Sequence, residues 1–156
     1  MTTRDLVEQL LARTADAPGE DTVDILRDLL DDATVDPSDP PLGISEAAAL
    51  VGLSTHTLRY YEDQGLVGPS RDSTGYRLYH PADLRRLVFL TRMRLSGMGM
   101  AELKRYVALV EQGEATFPER RAIMVAQRDR IRRQLRELTL ALETTEYKIR
   151  VYTPEG

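Results

Sequence analysis

The segment "STHTLRYYEDQGLVGPSRDSTGYRLY", from Ser54 to Tyr79, decides the fold of this chain. The run "ISEAAALV" before it predicts a short helix with Ser45 as its N-cap, and Gly52 ends that helix. Ser54 can then cap a second helix, Thr55 to Gln64. Two helices joined by a tight turn that contains glycine are the layout of a helix-turn-helix unit.

The second helix of this unit has two unlike faces. Leu58 and Tyr61 lie three positions apart, so we expect them to pack against the first helix. The polar side chains then point outward, namely Thr55, His56, Arg59 and Tyr60. A guanidinium can bind a phosphate or a guanine edge, and hydroxyls can donate to phosphate oxygens, so this face suits DNA. The alternative is an ordinary solvated helix surface.

A β-hairpin is predicted beside this helix, with two short strands flanking the turn Ser73–Gly75. Alternation places Tyr76 and Leu78 on one face and Arg77 and Tyr79 on the other. A two-stranded hairpin is marginal alone, so one face must pack on the helices and the other can form a wing. An ordinary packed hairpin is the alternative. The candidate DNA-binding residues are Ser54, Thr55, His56, Arg59, Tyr60, Arg71, Tyr76, Arg77 and Tyr79.

The C-terminal part of the chain carries a heptad pattern. Apolar positions alternate at spacings of four and three through Ile131, Leu135, Leu138, Leu142, Thr145, Ile149 and Tyr152, and we call these residues the seam. The pattern predicts a coiled coil, and a capping box is predicted at "TFPE", Thr116 to Glu119. A helix from Pro118 to Val151 would be roughly 50 Å long. A small core could not cover it, which disfavours the alternative of a helix lying on its own domain.

The charge is distributed unevenly along the chain. Residues 1–40 hold three arginines against eleven carboxylates, a net charge of −8, while the whole chain carries −4. Residues 41–156 therefore carry +4, which suits a polyanionic partner. In the acidic part, two short amphipathic helices are predicted over residues 3–14 and 21–31, and Thr34–Pro41 reads as a proline-rich linker.

Several classes of function are disfavoured by composition. The chain has no cysteine and only two histidines, so we expect no disulfide, no metal site and no cofactor. Glu62 and Asp63 are adjacent rather than facing, so no catalytic constellation is visible and an enzyme is not expected. There is no long apolar run and no signal-peptide pattern, so we expect a soluble cytoplasmic protein.

The elements "TLRYYE", "GLV", "PSR", "GYRLY" and a downstream "DL" resemble, in order and spacing, the MerR-type transcriptional regulators. The resemblance covers residues 42 to about 152. It implies a winged helix-turn-helix homodimer with an antiparallel helix pair, which binds a palindromic promoter and distorts it so that RNA polymerase can engage. It also implies that Arg59 and Tyr60 lie on the recognition helix, and that the wing contains Arg71, Tyr76, Arg77 and Tyr79.

The fold class we expect is mainly α, a winged helix-turn-helix domain with a two-stranded hairpin, followed by a long antiparallel coiled-coil dimerisation helix. The expected domains are an acidic extension over 1–40, the DNA-binding domain over 41–113, and the dimerisation helix with a short tail over 114–156. One departure from the family pattern is Gly99, where a serine cap is usual before the helix Met100–Glu111.

The sequence leaves alternatives for a small-molecule effector and for the function. A small-molecule effector is unknown, although Tyr106, Phe117 and Tyr147 could contribute to a site for one. The alternative functions are a protein-interaction adapter that uses the acidic arm and the coiled coil, and an architectural DNA-bending protein.

Overall fold

The protein is described by a computed structural model over residues 39–156, together with Asp5, Val7, Glu8, Gln9, Ala12 and Asp24. From residue 39 onward it contains the helices α1 (Ile44–Val51) and α2 (Thr55–Asp63), the strands β1 (Ser70–Arg71) and β2 (Arg77–Leu78), and the helices α3 (Pro81–Leu95), α4 (Met100–Glu111) and α5 (Phe117–Tyr152), with a 3-10 turn at Glu114–Thr116. The expected fold class, mainly helical with one small hairpin and a long last helix, is confirmed.

The chain divides into two compact units, residues 1–104 and 105–156, and the division falls inside α4. The first holds the helix-turn-helix and the hairpin, and the second holds the long helix. The domain boundary predicted between residues 113 and 114 stays a prediction, since a division into compact units does not test where a functional domain ends.

The helix-turn-helix forms as the local sequence predicts. The Ser54 hydroxyl accepts a hydrogen bond from the backbone N–H of Thr57 at 3.1 Å, which caps α2. Gly52 ends α1 with a φ of 72°, a left-handed conformation that glycine adopts without strain. The prediction that Ser45 caps α1 is wrong, because α1 begins at Ile44 and Gly43 occupies the cap position. Glycine is a tolerated N-cap, so the helix forms without a side-chain cap.

The core of the first unit gathers apolar side chains from its helices and from the segments that connect them. Helix α1 packs on α2 and α3, and it buries Ala47, Ala48, Leu50 and Val51. Leu58 and Tyr61 of α2 are buried as predicted, and Leu66 and Val67 follow them in the connection to the hairpin. Burial of this kind stabilises the unit by about 1.5–3 kcal/mol for each large apolar side chain.

The hairpin is antiparallel, and Ser70 pairs with Leu78 while Arg71 pairs with Arg77. It is extended by a bridge between Tyr79 and Leu42, whose backbone groups exchange two hydrogen bonds of 2.8 and 2.9 Å. Leu42 thus acts as a short third partner at the base of the hairpin. This bridge attaches the hairpin to the segment that leads into α1.

Helix α3 starts at a cap that the sequence pattern did not reveal. His80 is its N-cap, and the backbone N–H of His80 donates to Asp83 Oδ2 at 2.9 Å. The His80 ring also lies 2.8 Å from the Ser70 hydroxyl, measured from Nε2 to Oγ. Burial raises the pKa of Asp83 above its usual range, although the His80 N–H opposes that shift. His80 therefore joins the start of α3 to the first strand.

In the second unit, the predicted capping box at Thr116 and Glu119 is wrong. Thr116 occupies the N-cap position of α5 but makes no side-chain cap, since its ψ of 5° is not the extended conformation of a capping residue. Its hydroxyl donates to the carbonyl oxygen of Leu109 at 2.6 Å. Arg120 Nε donates to the same hydroxyl at 2.9 Å, and Arg120 Nη2 donates to the Gly113 carbonyl at 2.6 Å. Thr116 and Arg120 therefore close the turn between α4 and α5.

Helix α5 has 36 residues and confirms the long helix expected from the heptad pattern. Its first turns bury Ile123 and Gln127. Beyond residue 134 every residue of the helix is exposed in a single chain, including large apolar side chains such as Leu138 at 67%. The C-terminal half of α5 is thus a long helix without a core of its own.

The two amphipathic helices and the linker predicted over residues 1–40 lie largely outside the described residues. Of the few residues described there, Asp5, Val7 to Gln9, Ala12 and Asp24 are helical, and the Val7 side chain is completely buried. Among the described residues no helix is long and apolar enough to cross a membrane.

Candidate nucleic-acid interface

The outward face of α2 forms as predicted. His56 and Arg59 are exposed, Tyr60 is 44% exposed, and Thr55 is half-buried. The Tyr60 ring lies 6.3 Å from the ring of Tyr61, centroid to centroid, and Tyr61 is buried. One face of a nine-residue helix thus carries an arginine, an imidazole and a phenol, while its other face is anchored in the core. Arg59 and Tyr60 project from a fixed base.

The tip of the wing is organised by Asp72. Its Oδ1 accepts hydrogen bonds from the Thr74 hydroxyl at 2.6 Å, the Thr74 N–H at 2.9 Å and the Tyr76 N–H at 3.0 Å. These bonds, the one from the Thr74 hydroxyl first, lower the pKa of Asp72. Gly75 has a φ of 88°, which an L-residue with a side chain rarely adopts. The turn is therefore closed locally, and it presents Tyr76 with 73% of its surface exposed.

Glu62, near the end of α2, connects that helix to both wing arginines. Its Oε2 lies 2.5 Å from Arg77 Nε, and its Oε1 lies 3.4 Å from Arg71 Nη2. Arg71 Nη1 also donates to the Gly75 carbonyl at 2.9 Å. The hydrogen bond with Glu62 is the main reason why the pKa of Arg77 is raised above its ordinary value. Two guanidiniums thus lie beside the outward face of α2 in a defined arrangement.

The prediction that the Tyr79 side chain lies on an outward face of the wing is wrong. Tyr79 is completely buried, and burial raises the pKa of its phenol. Pairing continues to Tyr79 through the bridge to Leu42, so Tyr79 stays part of the hairpin. Alternation separates two faces of a hairpin but does not say which face packs on the core, and the Tyr79 side chain packs inward. Within the described residues its hydroxyl has no hydrogen-bond partner.

The remaining predicted DNA-binding residues form one continuous region of the first unit. Ser54 and Thr55 begin α2, His56, Arg59 and Tyr60 lie on its outward face, and Arg71, Tyr76 and Arg77 lie on the wing that Glu62 connects to it. We call these eight residues the basic face. They present guanidiniums, hydroxyls and phenols, which are groups that proteins use to contact phosphates and base edges.

The seam lies along α5 in the second unit. Ile131 is half-buried, and the other six seam residues are exposed in one chain, with Leu135 and Leu142 each at 58%. Leu140, Tyr147 and Val151 are also exposed but lie off the seam. A row of exposed apolar side chains at alternating four and three spacing is the surface that a second helix covers in a coiled coil.

Two of the three aromatic residues considered for an effector site line one groove. The groove has a volume of about 620 Å³ and is bordered by Tyr106, Phe117, Pro118, Arg120, Arg121 and Met124. Arg120 stacks over the Phe117 ring at 4.5 Å. Tyr147 is not among the lining residues. Across the part of the chain that the structure describes, no group of three His, Asp or Glu side chains is placed to hold a metal ion.

Three residues that hold the hairpin and its neighbouring helices in place were not predicted from the sequence, namely Glu62, Asp72 and His80. Two of them act through contacts between different elements, since Glu62 contacts Arg77 over a separation of 15 residues and His80 contacts Ser70 over ten. A signal was present for Asp72, because an aspartate before Ser-Thr-Gly commonly accepts from backbone N–H groups of its own turn. No local signal identifies Glu62.

Comparison with known proteins supplies an independent line of observation. Residues 42–109 match the family model "MerR HTH family regulatory protein", and residues 84–144 match a second model, "MerR, DNA binding". The HTH-type transcriptional regulator HmrR of Rhizobium leguminosarum bv. viciae is 37% identical over 108 residues, which cover 69% of this chain and 84% of that protein.

Solved structures agree with these matches. The crystal structure of HiNmlR, a MerR family regulator lacking the sensor domain and bound to promoter DNA, superimposes with a TM-score of 0.67 at 31% identity, covering 72% of this chain and 90% of that one. A putative MerR family transcriptional regulator from Listeria monocytogenes gives a TM-score of 0.67 at 34% identity, covering 71% and 85%. Sequence and fold thus both point to one family.

Proposed function

Because this chain belongs to the MerR HTH family of regulatory proteins, we propose that it binds a palindromic promoter as a homodimer and regulates transcription from it. The basic face supports this proposal most directly. It combines an exposed helix surface with a wing beside it, and Glu62 connects the two. An exposed recognition helix of this kind enters the major groove, and a wing contacts the neighbouring backbone.

Within the basic face we assign different contacts to different residues. Arg59 and His56 point outward from α2 and are suited to base edges or phosphates in the groove, since a guanidinium binds either bidentately. Tyr60, Arg71 and Tyr76 are exposed donors suited to phosphate oxygens. Arg77 contributes charge and also holds the wing through Glu62. Tyr79 takes no part in direct contact, because its side chain is buried.

The seam on α5 supports assembly into a homodimer. Its apolar side chains are exposed in one chain, and pairing with the same surface of a second copy would remove them from water. An antiparallel pair of such helices places two heads about 34 Å apart, which is one helical turn of DNA. We therefore propose that residues 114–156 form the dimerisation region, that residues 41–113 form the DNA-binding domain, and that residues 1–40 form an extension to it.

Control of transcription requires more than binding. We propose that the dimer distorts the promoter so that RNA polymerase can engage it, a property that the family relation supports. A regulator of promoters works where the chromosome is, so we propose a cytoplasmic location. HiNmlR, a MerR family regulator lacking the sensor domain, is bound to promoter DNA in its crystal structure, which supports promoter binding by the corresponding residues of this chain.

Footprinting of the purified protein on its own upstream region tests this function. We expect protection of a palindromic site, with two protected windows centred about 10 base pairs apart or a multiple of that distance. Binding should weaken steeply with salt, because a protein that contacts phosphates releases counterions. Protection that is absent over the whole upstream region and on a library of random duplexes would contradict the proposal and favour a protein-interaction adapter instead.

A further inference from the structure

An acidic side chain lies in the middle of the basic face. Glu62 is 22% exposed, as is Arg77, and its two oxygens engage different arginines, Arg77 through Oε2 and Arg71 through Oε1. Glu62 lies on α2, which carries the groove-facing residues, whereas both arginines lie on the wing. One carboxylate therefore joins the two parts of the surface that we propose to contact DNA.

This carboxylate weakens general attraction to DNA. It places a negative charge beside phosphates, and it partly neutralises two of the guanidiniums that would attract them. A surface selected only for affinity to a polyanion would carry a neutral residue at this position. Glu62 therefore needs an explanation other than charge.

The geometry supplies that explanation. A guanidinium has five N–H donors. The structure uses Nε of Arg77 for Glu62, and Arg71 uses one Nη for Glu62 and the other for the Gly75 carbonyl. Both arginines keep N–H groups that can still donate to a phosphate. Their orientation is fixed by bonds made before DNA arrives, so fewer rotamers are lost on binding.

We propose that Glu62 is a positioning residue that fixes the wing arginines relative to α2, and thereby raises discrimination between the operator and other DNA while lowering affinity for DNA in general. The inference rests on the proposed DNA-binding function. It goes beyond that function by assigning specificity to a residue that repels the ligand. A fixed distance between α2 and the wing arginines favours DNA sites whose backbone and groove both parts can contact at once. It disfavours DNA sites that would require the wing to move.

The chain offers a matched control one residue away. Asp63 is exposed at the last position of the same helix, and its charge also acts on Arg77. Within the described residues it forms no ion pair with either wing arginine. Glu62→Gln and Asp63→Asn therefore remove the same charge from the same end of α2, and only the first removes the carboxylate that holds the wing.

The experiment measures affinity for two probes, a duplex that the wild-type protein selects from a random-sequence library and a scrambled duplex of the same length and composition. At low salt, affinity for the scrambled duplex should rise about two- to fivefold in both variants, because each loses one negative charge near phosphates. Affinity for the selected duplex should fall about three- to tenfold in Glu62→Gln alone, because the wing arginines lose their fixed orientation.

Opposite changes for the two probes cannot arise from simple loss of folded protein, which would weaken both. If Glu62→Gln and Asp63→Asn change the two affinities alike, so that the ratio between probes is the same in both variants, the inference is wrong. Should Glu62→Gln fail to fold, as judged by circular dichroism, Arg77→Lys serves in its place. It keeps the charge and loses the Nε contact, so affinity for the selected duplex should fall and affinity for the scrambled duplex should stay unchanged.

A measurement without DNA separates this inference from the proposed function. In the wild-type protein and in Asp63→Asn, the Nε–H proton of Arg77 should exchange slowly with water in nuclear magnetic resonance spectra, and in Glu62→Ala it should exchange rapidly. Rapid exchange in the wild type would refute the contact itself. If the contact is seen but the wild type selects no duplex from the library, the proposed function fails, and the specificity role of Glu62 fails with it.

Discussion

The head of this protein, residues 39–104, buries most of its large apolar side chains within one chain. The C-terminal half of α5 leaves its own exposed. In the head, Leu58 is completely buried, and polar groups occupy the outward face of α2. On α5, Leu135 and Leu138 are 58% and 67% exposed in a single chain. The head therefore completes its core within one chain, whereas the long helix requires another surface to complete its own.

This difference matches the two roles that we propose, namely DNA contact for the head and assembly for the long helix. A core that is closed within one chain can hold a contact surface rigid, and the basic face depends on such rigidity. A helix that is open along one side provides little for a single chain but suits a second copy of itself, since its seam repeats at heptad spacing. Loss of the seam should therefore leave the fold of the head intact, and loss of head residues should leave assembly intact.

The largest effect is expected from removal of the seam. A chain that ends before Ile131 should be monomeric and should lose operator affinity by about 100-fold or more, because two linked half-sites bind far more tightly than one. Sedimentation would report the monomer, and circular dichroism would report that the remaining helices persist. A shortened protein that still sediments as a dimer would show that assembly does not depend on the seam.

A single substitution sharpens the same point, because α5 exposes leucines both on the seam and off it. Leu142→Asp places a charge in the predicted dimer core and should weaken dimerisation by about 3 kcal/mol or more, since a buried unpaired charge is strongly unfavourable. Leu140→Asp changes an off-seam leucine of similar exposure, 65% against 58%, and should alter dimerisation little. The check is the dimer dissociation constant of each variant. Equal effects would mean that the seam is misplaced.

On the head, Arg59→Ala should weaken operator binding by about 1–3 kcal/mol and leave both helix content and dimerisation unchanged. The reason is that Arg59 is exposed on α2 and contributes nothing to the core. Arg133→Ala removes the same charge from an exposed position of α5 and serves as the control. Binding titrations that cannot distinguish Arg59→Ala from the wild type would show that the wrong face of α2 was assigned.

These positions also show how far the sequence alone could lead. Helix α2 was predictable because Ser54 supplies a local cap and because Leu58 and Tyr61 mark one buried face. Helix α5 was predictable because a heptad repeats through it. Both signals are local and periodic, so they survive without knowledge of the rest of the fold.

Three of the errors involve contacts that periodicity does not encode. Tyr79 was placed on an outward face by alternation, but its backbone pairs with the distant Leu42 and its side chain is buried in the core. Thr116 was expected to cap α5, but its hydroxyl donates to the carbonyl oxygen of Leu109, seven residues earlier. The contacts of Glu62 with the wing arginines were not predicted, because these partners lie on another element. In each case a tertiary contact decides what the side chain does.

The smallest effect is expected from removal of the acidic extension, residues 1–40. Deletion of residues 1–40 changes the net charge from −4 to +4. If the extension competes with phosphates for the basic face, its removal should strengthen binding to random duplexes about two- to tenfold at low salt, with the gain fading as salt rises. A salt titration with and without the extension measures this. Parallel lines without any gain would direct attention to a protein partner such as RNA polymerase.

The number of chains bound to each duplex tests the central claim most directly. That claim is that the head contacts DNA and that the long helix joins two heads into a homodimer. Sedimentation of the wild-type protein with its footprinted palindrome should give two chains per duplex, and a duplex that contains one half-site should bind about 100-fold more weakly. One chain per palindrome, with equal affinity for the half-site duplex, would contradict the account.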